Sequence, residues 1–143
     1  MSTILDKINI IRVASGAAAG VGTTYSAIVD MADYDGVVFV ASLNTLLATS
    51  VVALQLQESA TNTTGGMANV GSPATYTAPT GGTAAGTLVV DTDQPLLQYV
   101  RAQLSIATAD STVDAIWAIQ YRGRIDPTTL DPTVLASLIQ VNV

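Results

Sequence analysis

The side chains in this sequence that are equipped for chemistry are nearly all aspartates, and five of the ten fall into two closely spaced groups. Asp30, Asp33 and Asp35 lie within six positions of one another, and Asp91 and Asp93 form a smaller pair. Closely spaced carboxylates are the raw material of a calcium site. Set on the EF-hand pattern with Gly36 at its sixth position, however, the first ligand position is Met31 and the twelfth is Ser42, so both required carboxylates fail. Aspartates this close together also serve as turn residues that accept from backbone N–H groups, and that is the expectation for both groups. A second candidate is the run containing Gly16, Gly20 and Gly22. A phosphate loop would continue into Lys and then Ser or Thr, and a dinucleotide fingerprint would place a third Gly where Tyr25 stands. The run therefore reads as a flexible turn.

Residue types that are missing remove most other reactions. The chain has no His and no Cys, hence no side chain that titrates near neutrality unperturbed, no thiolate nucleophile, no disulfide and no Cys or His ligand for zinc. Glu58 is the only Glu and Lys7 the only Lys, so a Glu pair for glycoside hydrolysis is impossible and a Ser–Lys dyad would depend on one residue near the N-terminus. The expectation is a protein that is not an enzyme and needs no cofactor. A net charge of −6 with five basic residues argues against nucleic acid, whose phosphates call for clustered Lys and Arg. No apolar run approaches the ~20 residues of a spanning helix, so no membrane partner is expected.

The elements that carry these residues follow from period. Hydrophobic residues make up 49% of 143 positions, enough for one domain with its own core. The apolar period is two almost throughout. From Thr49 to Glu58, Val52, Leu54 and Leu56 oppose Ala53, Gln55 and Gln57. From Leu96 to Ala107, Val100, Ala102, Leu104 and Ile106 oppose Tyr99, Arg101, Gln103 and Ser105. Ser111 to Arg122 sets Ala115, Trp117, Ile119 and Tyr121 against Asp114, Ala118, Gln120 and Arg122, with Ile116 out of step. This places Trp117 in the core beside Ile119, and Arg101 on a polar face as the ion-pair partner of an Asp. Gly36 to Leu43 is apolar on both faces, which fits a central strand covered on both sides. With further strands at Ile4 to Val13, Thr24 to Met31 and Thr87 to Asp91, the count is seven or eight. The expected fold is an all-β antiparallel sandwich of jelly-roll type. Residues 59–86, rich in Thr, Gly, Ala and Asn and without a charge, read as a long loop or a pair of weak edge strands.

The C-terminus changes character. Asp131 followed by Pro132 has the form of a helix N-cap and first turn, and Val134, Leu135, Leu138 and Ile139 then recur at helical spacing. The expected division is a sandwich over 1–127 and an arm or short helix over 128–143, with those four side chains as partner-binding residues. Charged residues are only 11% of the chain, against about 25% in an ordinary domain, which also favours an assembled state.

The run Asp30 to Phe39, then Pro95 with Tyr99, Val100 and Arg101, and later Asp114 to Tyr121 and Pro127, resembles a family of small tailed-phage structural proteins encoded among the head genes. The resemblance covers about residues 1–127, with Asp33 where the family tends to have Gly and with Leu130 to Val143 as an extension. It implies a virion protein made in the host cytoplasm, a decoration or cement protein on the outside of the capsid with the major capsid protein as its partner. By analogy it also implies a homotrimer. A head–tail connector or tail component is the alternative within that class. A carbohydrate- or host-binding sandwich is the alternative outside it, for which Tyr76 is the only aromatic residue in the long loop.

Overall fold

A computed structural model of the chain describes residues 3–123. The arm and its four side chains, Val134, Leu135, Leu138 and Ile139, lie outside the described residues. Among those described, β1 (Asn9–Tyr25), β2 (Val29–Asp30), β3 (Tyr34–Leu46), β4 (Val51–Ser59), β5 (Ala68–Thr77), β6 (Gly86–Asp93) and β7 (Tyr99–Gly123) pair antiparallel into a seven-stranded sheet. The all-β class and the strand count are as the sequence led one to expect. The sheet is one continuous ladder curled over itself rather than two separate sheets.

β7 organises it. The two strands read at Leu96 to Ala107 and Ser111 to Arg122 are the halves of this single strand. Its first half pairs with β4 on one side, and with β2 and the end of β1 on the other. Its second half pairs with β3 and with the start of β1. The first layer is thus β5-β4-β7-β1 and the second is β1-β7-β3-β6, with β1 and β7 running through both. The bend lies at Thr108, whose backbone is left-handed (φ 72°), and opposite it the β3–β4 turn holds Thr49 at φ 65°. For β-branched residues that conformation is strained and must be held by its surroundings. Here the Leu47 N–H donates to the Asp110 carbonyl (3.0 Å), and the buried Ser50 hydroxyl donates to the Ala109 carbonyl (2.8 Å) while lying 2.6 Å from the Ser111 hydroxyl. Because the Ser50 proton goes to Ala109, the Ser111 hydroxyl donates to Ser50.

The glycine run is not a turn. It crosses the same bend inside β1, with register shifts between Arg12 and Ala14, Ala17 and Gly20, and Gly20 and Gly22. A Cβ on Gly16 would sit 2.7 Å from the Asp114 carbonyl oxygen and 2.9 Å from that of Val113, so the strand can approach β7 here only as glycine. The N-terminal strand likewise begins later than its apolar residues suggest, because Ile4–Asp6 forms a 3₁₀ turn closed by Asp6 accepting from the Thr3 N–H (2.8 Å). In the uncharged stretch only β5 is a long strand, and it lies on the edge of the first layer.

The interior is filled by alternate residues of both layers: Val37, Phe39, Ala41 and Leu43 from β3, Val52, Leu54 and Leu56 from β4, and Val100, Ala102 and Leu104 from β7. In the second half of β7, Ile116 and Ala118 join them, each fully buried. Gln120 is also inside. Its amide accepts from Asn9 (2.8 Å) and donates to the Asp30 carbonyl (2.8 Å), which removes the penalty of burying it.

Candidate functional site

The outward positions of the two layers differ in kind. In the first layer the register sets Asn69, Gln57 and Arg101 side by side across β5, β4 and β7, and one row along it sets Gln55, Gln103 and Tyr25 across β4, β7 and β1. Gln57 donates to Asn69 (2.8 Å) and to Gln103 (2.9 Å) and accepts from the Arg101 Nε (2.7 Å). The Arg101 guanidinium lies 4.3 Å from the centre of the Tyr25 ring. Arg101 is therefore buried under a glutamine and a tyrosine instead of meeting an aspartate. The residue opposite it is Gln57, and Asp30, one row away, is held by the Ala32 N–H and by Gln98, both at 2.9 Å. That Asp30 contact is the turn cap anticipated for the first aspartate group. Asp91 and Asp93 do not sit in a turn, the expectation from their spacing, but at the end of β6, where they bind β7: Asp91 accepts from the Tyr121 hydroxyl (2.6 Å), and Asp93 pairs with Arg122. Tyr76 lies on β5 and is bonded to Thr83 (2.9 Å).

The second layer presents hydrocarbon. Reading across β1, β7, β3 and β6, one row is Arg12, Trp117, Val40 and Val89, and the next is Ile10, Ile119, Val38 and Asp91. Ile10, Trp117, Ile119, Val38 and Val40 are half-buried and Val89 is 50% exposed. The core position expected for Trp117 is thus corrected. Strand period two allows either set of alternate residues to face in, and in β7 it is Ile116, Ala118 and Gln120 that do so. The shift that selects them lies between Ser42 and Leu43 of β3, whose partners are Ala115 and Val113. Trp117 stands outside with the Arg12 guanidinium 5.6 Å from its ring centre. The coverage expected on both sides of β3 is complete only on the inner side. The rim of the patch is polar. Tyr121 crosses Gly36 so closely that a Cβ there would lie 2.2 Å from the ring, and its hydroxyl proton is held above the ordinary phenol range by burial and then by the bond to Asp91.

A cleft of about 460 Å³ opens at the end of the molecule between the turn after β2 and residues 94–98, lined by Met31, Tyr34, Asp35, Pro95, Leu96 and Leu97. Among the described residues no three carboxylates gather into a group that could hold a metal ion. The apolar outer face is the more distinctive surface. Its members Ile10, Val38, Val40 and Val89 were not read as a site from sequence, although the two-sided apolar pattern of Gly36 to Leu43 was the signal.

This architecture has solved counterparts. A chain in the structure of infectious bursal disease virus, Gx strain, superposes with a TM-score of 0.52 over 85% of this chain at 8% identity. The likeness is one of fold. The matched part is 33% of the viral chain, so the present chain spans about a third of that protein's length. The VP2 subviral particle of the same virus gives 0.45 over 82% of this chain at 8% identity, and latent PorU from Porphyromonas gingivalis gives 0.48 over 82% at 12%. No family model and no curated protein sequence matches the chain.

Proposed function

We propose that this chain is a virion structural protein, a decoration or cement protein that binds the outside of the major capsid lattice of a tailed phage and stabilises the head. The observation that carries the reading is the outer face of the second layer, where Trp117, Ile119, Val38, Val40, Ile10 and Val89 form one patch on a chain with only 11% charged residues. A patch of this kind with a polar rim fits an interface, since apolar and aromatic residues concentrate at the centre of protein contacts. The fold shared with a chain of a virus structure supports the same class. The acidic balance suits the exterior of a shell better than its DNA-lined interior. The role asks for no catalytic residue, and the phage resemblance of residues 1–127 supplies the partner, the major capsid protein, and the homotrimeric state.

Cryo-EM of particles assembled with and without this protein tests the proposal. Density for a 14.6 kDa subunit repeating over the outer surface of the shell is the expected result. Density confined to the portal vertex would replace it with the connector or tail reading, and particles that never incorporate the protein would overturn it.

A further inference from the structure

We infer that the apolar outer face of the second layer is the receptor for residues 131–143 of a neighbouring copy, so that copies are joined by exchange of their C-terminal segments. The face and the segment match in chemistry. Around Trp117 the face is mainly hydrocarbon, with the uncharged Ser42 and Thr87 in the next row and charge at its margins, Arg12 on β1 and Asp91 and Asp93 on β6. From Pro132 to Val143 the segment carries no charged side chain, and its sequence sets Val134, Leu135, Leu138 and Ile139 at the spacing of one helical stripe. A stripe of that length gains little from forming alone in water, where helices below ~12–15 residues are marginal, so it needs an apolar surface to lie on.

The length of chain and its point of departure fit. Gly123 ends β7 opposite Tyr34, at the rim of the same layer that carries the face. Trp117, at the centre of the patch, lies six positions back along that strand, ~20 Å at strand rise. Between Gly123 and Val134 there are ten residues, which extended reach at most ~33–36 Å. The stripe thus has the span to leave its own rim and cross onto an adjoining subunit. Assignment to a neighbour rests on the assembly reading above. A segment folded onto its own face would cover it within one chain and leave this face unavailable for joining copies.

Trp117 is the only tryptophan, so its fluorescence reports on this face without labelling. The experiment uses the full chain, alone and with the paired substitutions Leu135→Gln and Leu138→Gln. It measures light-scattering mass and acrylamide quenching of Trp117 over a dilution series. The inference expects an oligomer with a protected, blue-shifted Trp117, and quenching that rises severalfold as the oligomer dissociates on dilution. The paired variant should show the raised quenching and the monomer mass at every concentration. An oligomer in which the paired variant changes neither mass nor quenching would overturn the exchange and leave the assembly reading standing. A monomer with Trp117 protected at every dilution would overturn both. Because the chain lacks cysteine, a second readout is clean: copies carrying Val89→Cys and copies carrying Leu138→Cys, mixed and oxidised, should give a disulfide between positions 89 and 138 of different chains. Absence of that link, with each variant still oligomeric, counts against the exchange.

Discussion

The two outer faces of this protein lie on the same ladder and share β1 and β7, yet they meet their surroundings by opposite means. On the first layer, Gln57, Gln103, Asn69, Arg101 and Tyr25 satisfy one another, so that even a guanidinium is buried there at little cost. On the second layer, Trp117, Ile119, Val38 and Val40 are flanked by Ile10, the exposed Val89 and, over the Trp117 ring, the Arg12 guanidinium. A polar face that is closed upon itself offers a partner little, since each of its hydrogen bonds would have to be exchanged for another. An apolar face gains from any surface that removes it from water, about 25 cal/mol per Å² covered. The contrast teaches that the character of an outer face is set by which half of β7 it is built on.

The sharpest way to break that contrast uses two adjacent residues of one strand. Ile116→Ala empties a fully buried site and should cost about 2–5 kcal/mol in urea unfolding, whereas Trp117→Ala, on the other side of the same strand, should cost the isolated subunit far less while weakening its association. Equal losses would mean that the outer face belongs to the folding core. Next in size is the polar face. Gln57→Ala removes the acceptor of the buried Arg101 and should destabilise by about 1–3 kcal/mol, and Arg101→Met added to Gln57→Leu should recover most of it, as a double-mutant cycle would reveal. Val89→Lys should leave unfolding within about 0.5 kcal/mol of the parent yet shift the light-scattering mass toward the 14.6 kDa of one chain. The smallest effect is at the rim. Tyr121 holds its proton more tightly folded than unfolded, so its contribution is complete below the ordinary phenol pKa of about 10 and is lost as pH rises through that value and the higher folded one. Stability measured from pH 9 upward should therefore fall, and Tyr121→Phe should flatten the slope.

Much of the fold was legible because β-strand period is written directly in residues such as Val52, Leu54 and Leu56, or Val100, Ala102 and Leu104, whose inward set is also their apolar set. What was not legible came from positions where period two leaves two equivalent answers. In Ser111 to Arg122 the bulky set, Trp117 and Ile119, looks inward by size, and only the pairing of β7 with β3 and β1 decides that it is outward. The joining of two expected strands into β7 was hidden for a related reason, since Thr108 to Asp110 has the polarity of a turn but is the bend of a strand tied down by Ser50 and Ser111. The glycine run was hidden too, because a glycine needed for close approach of two backbones looks in sequence like one needed for a turn. Of the candidate site, the two-sided apolar run of Gly36 to Leu43 was legible, but not the outer face that Val38 and Val40 help to form, because the rest of it comes from β1, β6 and β7, far apart in sequence.

The strand shared by both layers also sets the order of events during synthesis. β1 begins at Asn9 and finds its partner at Gln120, so the two ends of the described sheet meet only when almost all of it has been made. Until Tyr99 to Gly123 has left the ribosome, the β4–β5 and β3–β6 pairs have no central strand to join them and must wait with open edges. Contacts this distant in sequence make for slow closure and a long exposure of unpaired strands. The outer face of the second layer, assembled from β1, β3, β6 and β7, therefore does not exist until the last of these strands has been made.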